Sequence, residues 1–170
     1  MPLILLALAA TLPDATIFRT AVLSADSATA VLQQHCPDDR IRAVRKPMAR
    51  KAAPRAIRVA LTLRNGETLR YRRVRLMCGD TLFSDADNWY VPERLTPDMN
   101  ATLEGSDTPF GRVIAPLKAT RQTLGARAGQ GRRLFTVSAL LTSDTGLPLS
   151  GVVERYQRAV LHHAPSHPRK

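Results

Sequence analysis

The sequence predicts an α+β fold: a single antiparallel sheet of about six strands, with short helices over one face or end. Three observations predict it. Apolar and polar residues alternate through 56–63 and 68–77 on either side of Asn65-Gly66, a strong short-range hairpin signal. From Ala15 to His35, apolar residues recur at three- and four-residue steps, as on a helix. After Pro92 the strand pattern stops at Thr96-Pro97, a capping residue followed by proline at a first helical position.

The elements follow in order. Residues 1–14 are an apolar N-terminal segment, too short to span a bilayer. It is compatible with a secretory signal, with Ala7-Leu8-Ala9 as a small-residue cleavage pattern, or with a first helix packed on the body. The domain itself is expected over 15–161, a size that buries one core. Asp26 and Ser27 are good caps, so the stretch to His35 reads as two short helices joined near DSAT, the second ended by Pro37. Residues 40–46 alternate like a strand with Ile41 and Ala43 inward, and 47–54 form a basic loop. Residues 56–63 and 68–77 are expected to pair as the hairpin, and Gly79-Asp80 to turn the chain into 81–91. A helix follows from Thr96 through Met99 to Leu103, then a loop at 105–109 and a short helix from Phe110. Strands are expected at 119–126, 132–141 and 149–161, with a turn at Asp144-Thr145-Gly146. The tail, 162–170, reads as disordered.

Charge is lopsided. The chain carries 25 Lys and Arg against 14 Asp and Glu, a formal net charge of +11. Thirteen of the basic residues fall between Arg40 and Arg75, where Glu67 is the sole acid. Nucleic-acid binding would add aromatic stacking platforms or a recognisable motif, and this window holds one aromatic, Tyr71. The expectation is therefore a basic pocket or surface for a small anion, with no nucleic acid as partner. Cys36 and Cys78 are either one disulfide or two buried thiols. With no CxxC or Cys/His cluster, and with His162, His163 and His167 in a Pro-rich tail, neither metal nor cofactor is expected.

Candidate chemistry rests on charged residues that share a strand face with apolar ones. Arg72 lies on the face of Val74, Leu76 and Cys78, whereas Arg73 lies with Arg75 and Met77. If the first face is the core, Arg72 needs a carboxylate from the protein or a ligand. Glu154 shares a face with Val152 and Tyr156 and poses the same question. The simplest answer is that Arg72 and Glu154 pair with each other.

Taken together, DSAT (26–29), RRVRLMC (72–78), the strand ending in YVP (90–92), TPFGR (108–112) and GLPLSGVVERY (146–156) resemble the chorismate lyase family in order and spacing. The resemblance spans roughly residues 21–156. It implies helical flaps over a closed pocket, and elimination of pyruvate from chorismate to give 4-hydroxybenzoate, a step of ubiquinone biosynthesis. It also implies a monomer without cofactor and, by the family's habit, a cytoplasmic location, against export if the N-terminus is a signal. In the family a buried arginine clamps the substrate's carboxylate and a glutamate on the last strand meets the hydroxyl end. Glu154 matches the glutamate, and Ala28, Phe110 and Gly111 fall in the closing flaps. Counting without gaps from Cys78 makes Arg73 the clamp; counting from the Gly79-Asp80 turn makes it Arg72. The family's second arginine falls on Asn88 or Asp87 here, and a symmetric turn would set Asp87 directly opposite Arg72. The same fold also serves as a binding module for a small aromatic or cyclic carboxylate without turnover.

Overall fold

The computed structural model describes residues 12–37, 39–47 and 50–163. The apolar segment expected over 1–14 falls mostly outside them, as do residues 164–170 of the expected tail. One six-stranded antiparallel sheet, in the order β1-β2-β3-β6-β5-β4, forms the frame. Its strands are β1 (Arg42–Arg45), β2 (Arg70–Cys78), β3 (Thr81–Tyr90), β4 (Thr120–Ala128), β5 (Arg133–Thr142) and β6 (Pro148–Gln157). The fold class read from the sequence is the one observed.

The inner face of the sheet carries the larger core. Helices α1 (Leu12–Ser24) and α2 (Ala28–Gln34) lie over it, together with α4 (Pro97–Gly105) and the single turn α5 (Phe110–Val113). Ser27 caps α2, its hydroxyl accepting from the Ala30 N–H at 3.2 Å, and Thr96 caps α4 through the Met99 N–H at 3.2 Å. Both caps were legible in the sequence. Phe18 of α1 fixes that helix by edge contacts with His35 and Tyr156.

Residues 56–63 overturn an expectation. They form a helix, α3 (Arg55–Leu61), rather than the first arm of a hairpin, and helices therefore cover both faces of the sheet. The segment fits either period. Ile57 and Leu61 are four apart and fully buried, while Val59, which a strand would have sent inward with them, is 68% exposed. Packing decides in favour of the helix. Ile57 sits directly on Gly151 of β6, where a Cβ would come within 2.2 Å of its Cγ2. Ile57, Leu61, Trp89, Val91, Leu140 and Val153 make a second, smaller core on this outer face. Arg94 locks the exit from α3, donating to the carbonyls of Leu61 (2.8 Å) and Pro148 (2.6 Å) and to Glu67 (2.5 Å). Asn65-Gly66 remains a turn, with Gly66 at φ +84°, but it joins a helix to a strand.

Three smaller corrections follow. Strand β6 ends at Gln157, and Arg158–His162 form a 3-10 helix instead of continuing it. His163, placed by the sequence in a disordered tail, accepts a hydrogen bond at its carbonyl from His35 Nδ1 at 2.9 Å. The β2–β3 hairpin is not symmetric, because a bulge at Phe83 shifts the register by one. Arg72 therefore faces Asn88 and Arg73 faces Asp87. Of the two options for the cysteines, the disulfide is realised: Cys36, just past α2, is joined to Cys78 at the end of β2. No described helix is long and apolar enough to cross a membrane.

Candidate functional site

Between the inner face of the sheet and the α2 and α5 segments lies a cavity of about 480 Å³, within the range of small-molecule sites. Its floor is apolar, made by Val74 and Leu76 of β2, Ala86 of β3, Leu141 of β5 and Val152 of β6. Ala28, Phe110 and Gly111, the residues expected in the flaps, line it from above. Gly111 lies beside the α2 cap, where a Cβ would make ordinary contact with the hydroxyls of Ser27 and Thr29 at 3.6 Å.

Arg72 projects from β2 into this apolar space and is 7% exposed. Its Nη2 donates weakly to the carbonyls of Ser106 (3.4 Å) and Thr108 (3.3 Å). Nε and Nη1 are buried and have no partner among the described residues. Burial, helped by the nearby charge of Arg45, pushes its pKa down from the usual guanidinium value. A buried guanidinium without a carboxylate is an unpaid requirement of the fold, and an anion entering the cavity would meet it. Arg73 is on the opposite face, where Asp85 takes its Nη2 at 2.6 Å. Of the two arginines, Arg72 is the one that lines the cavity.

Glu154 also lines the cavity, but it does not pair with Arg72. Its partner is Arg121 of β4, whose Nη2 lies 2.5 Å from Glu154 Oε2 while Nη1 donates to the Val22 carbonyl at 3.1 Å. The fully buried Tyr156 hydroxyl donates to the same Oε2 at 2.9 Å. Burial and the neighbouring carboxylate push the Tyr156 pKa well up, so it stays a neutral donor. Burial alone would lower the pKa of Arg121, but the Glu154 charge outweighs it and raises it. Arg121 was missed in the sequence. Nothing in TRQTLGARA sets it apart from two dozen other basic residues; only the cross-strand register turns it inward.

The two candidates for the family's second arginine separate. Asn88 is on the inner face, lines the cavity beside Arg72, and accepts from the Ser150 hydroxyl. Asp87 is fully buried on the outer face, away from the cavity. It accepts from Lys51 Nζ (2.8 Å), Tyr71 Oη (2.6 Å) and Arg155 Nη2 (2.6 Å). Burial would raise its pKa, but these three donors outweigh it and hold the carboxyl at about 2. Asp87 is thus a structural hub. Among the described residues no group of three or more His, Cys, Asp or Glu stands together as a metal site would require.

The buried charges of the cavity are therefore Arg72 alone at one end, and an Arg121–Glu154 pair at the other. Arg112 and Lys118 add exposed positive charge at the rim, and Asp26 one negative charge.

No family model matches this chain. Among curated proteins it is 36% identical over 170 residues to "Uncharacterized protein y4mC" of Sinorhizobium fredii (strain NBRC 101917 / NGR234), covering 82% of this chain and 72% of that protein. Among solved structures, it is similar to the ligand-binding domain of a GntR-family transcriptional regulator from Bordetella bronchiseptica. That match has a TM-score of 0.52 at 20% identity, over 77% of this chain and 90% of the other. The C-terminal domain of the histidine utilization repressor from Pseudomonas syringae pv. tomato aligns over 77% of this chain and 99% of its own, at 14% identity and a TM-score of 0.48. At 20% identity the likeness to the Bordetella bronchiseptica domain is one of fold.

Proposed function

Because this chain belongs to the same family as y4mC of Sinorhizobium fredii, a protein itself described as uncharacterized, we propose its role from the site: the inner-face cavity binds a small aromatic or cyclic carboxylic acid without turning it over. One observation carries this reading, the buried Arg72, whose Nε and Nη1 lack partners among the described residues, over the apolar floor of the cavity. A ligand carboxylate supplies the missing acceptors through charge-assisted hydrogen bonds, and the apolar walls take the ring. The fold likeness to a regulator's ligand-binding domain supports the same role.

The second reading is chorismate lyase activity, and the placement of Arg72 and Glu154 in one cavity favours it. In that reaction the ring C–O bond to the enolpyruvyl oxygen breaks, the hydroxyl-bearing ring carbon gives up its proton as the ring aromatises, and the released enolpyruvate takes up a proton at its methylene to become pyruvate. The protein's part would be to hold one reactive conformer in a dry site, Arg72 on the ring carboxylate and Glu154 at the hydroxyl end. Charge weighs against it. Chorismate is a dianion, and the cavity holds one uncompensated buried guanidinium, with Asn88 where the family's second arginine would stand. The Cys36–Cys78 disulfide also suits an oxidising compartment, away from cytosolic chorismate.

Incubation with chorismate, followed for 4-hydroxybenzoate, separates the two readings. The expected result is saturable binding of 4-hydroxybenzoate with no product formed. Steady formation of product that is lost in Glu154→Ala would establish the lyase instead.

A further inference from the structure

We propose that the outer face of the sheet carries a second anion site, separate from the cavity, which takes a phosphoryl group at the end of the β4–β5 hairpin. An open polar depression of about 500 Å³ lies there. Arg127 of β4, Arg132 in the connection, Arg133 and Thr136 of β5 and Gln157 of β6 line it. The cross-strand register brings them together, pairing Arg127 with Thr136 and Arg133 with Gln157. No acidic residue lines the depression, and the three arginines are exposed. Among the described residues none of the three has an ion pair or a side-chain hydrogen bond. An unmet polar group stands with them: Thr136 is 3% exposed, and its buried hydroxyl has no hydrogen-bond partner among the described residues. An unpaired buried hydroxyl destabilises the protein, and so does the proximity of three like charges. One bound oxyanion offsets both.

The hairpin end is held in place by the protein's own contacts. Gly129 donates its N–H to the Leu134 carbonyl at 2.9 Å, and a Cβ at Gly129 would come within 2.2 Å of the Arg133 carbonyl oxygen, so only glycine fits this neck. Arg158 pins the turn from β6's side: its N–H donates to the Arg132 carbonyl at 2.8 Å and its Nε to the Gly131 carbonyl at 2.8 Å. The ligand class follows from the donors. Guanidiniums fork onto phosphoryl oxygens, and a phosphoryl group has enough of them to meet several arginines and a hydroxyl at once. The depression lacks the apolar floor that the inner cavity offers a ring, so it selects the anion and not an aromatic body.

Calorimetric titration of the full chain with inorganic phosphate, and separately with phenyl phosphate, tests this. An ionic strength of about 0.15 M screens a diffuse field more than a formed contact. Saturable one-to-one binding is expected, weakened at least tenfold in Arg127→Gln/Arg133→Gln. Thr136→Val, which removes the hydroxyl and leaves the charge unchanged, should weaken it at least fivefold. Arg19→Gln/Arg55→Gln removes the same charge from exposed positions elsewhere and should stay within threefold of wild type. Tighter binding of inorganic phosphate than of phenyl phosphate would support the site and mark free phosphate as its ligand; the reverse order would support it as a site for a phosphate ester. No saturable binding of either probe would overturn the inference. Unchanged affinity in Arg127→Gln/Arg133→Gln would overturn it by placing the anion elsewhere, and an equal loss in Arg19→Gln/Arg55→Gln would overturn it by reducing the effect to net charge. Unchanged affinity in a folded Thr136→Val would do the same. If circular dichroism shows Thr136→Val to be unfolded, the two surface double variants decide.

Discussion

Replacing Arg72 by methionine separates what that residue costs the fold from what it does for a ligand. Its Nε and Nη1 are buried without acceptors, so an apolar side chain of similar length should stabilise the empty protein, by about 1–3 kcal/mol. A urea midpoint that rises in Arg72→Met would show this, and one that falls by a similar amount would mark Arg72 as structural. Asp87 is the opposite case, a buried carboxylate with three donors. Asp87→Asn removes the negative charge that Arg155 and Lys51 share, and one of the two acceptor oxygens, and should cost about 3 kcal/mol by the same measurement. The sign of its pH dependence follows from a folded-state pKa of about 2 against an ordinary value near 3.8. The stabilisation, about 2 kcal/mol, is fully present above pH ~4 and is lost as pH falls toward 2. Urea unfolding followed by Trp89 fluorescence should therefore show a stability gap between wild type and Asp87→Asn that is full above pH ~4 and narrows as pH falls toward 2; a gap that does not change with pH would contradict this.

At the level of elements, α3 shows where a pattern fits two structures. Ile57, Val59, Leu61 and Leu63 alternate as a strand would, yet Ile57 and Leu61 also satisfy a helix turn, and Gly151 supplies the dent that receives Ile57. That dent lies 94 positions away in the chain, and no local reading could weigh it. Gly151→Ala should cost about 1–3 kcal/mol through overpacking. Combined with Ile57→Ala in a double-mutant cycle, the penalty should largely vanish, since the clash needs both side chains. The caps at Ser27 and Thr96 were legible because capping is local. The β2–β3 register was not, because one bulged residue, Phe83, decides which of Asn88 and Asp87 faces the cavity. Arg72 and Glu154 could be picked out as charged residues on apolar faces, while Arg121 had no such neighbours to mark it.

In the whole molecule, the sheet divides labour between its faces. The outer face holds α3, Trp89 and the Asp87 hub, and contributes stability. The inner face holds the cavity, with the flap cap of α2 at its roof and Arg72 in its floor. The Cys36–Cys78 disulfide ties the end of α2 to the end of the strand that bears Arg72, across 42 residues of chain. By loop-closure entropy its removal should cost about 4 kcal/mol. Cys36→Ser/Cys78→Ser should show that loss in urea and should also weaken ligand binding, by freeing the roof from the floor.

The central claim, an anion receptor built on an unsatisfied buried guanidinium, is tested most directly by titrating 4-hydroxybenzoate into wild type and into Arg72→Met by calorimetry at neutral pH. Saturable one-site binding in wild type, weakened at least a hundredfold in an Arg72→Met protein that is folded and no less stable, is the result expected. Equal affinity in the two proteins would contradict the claim.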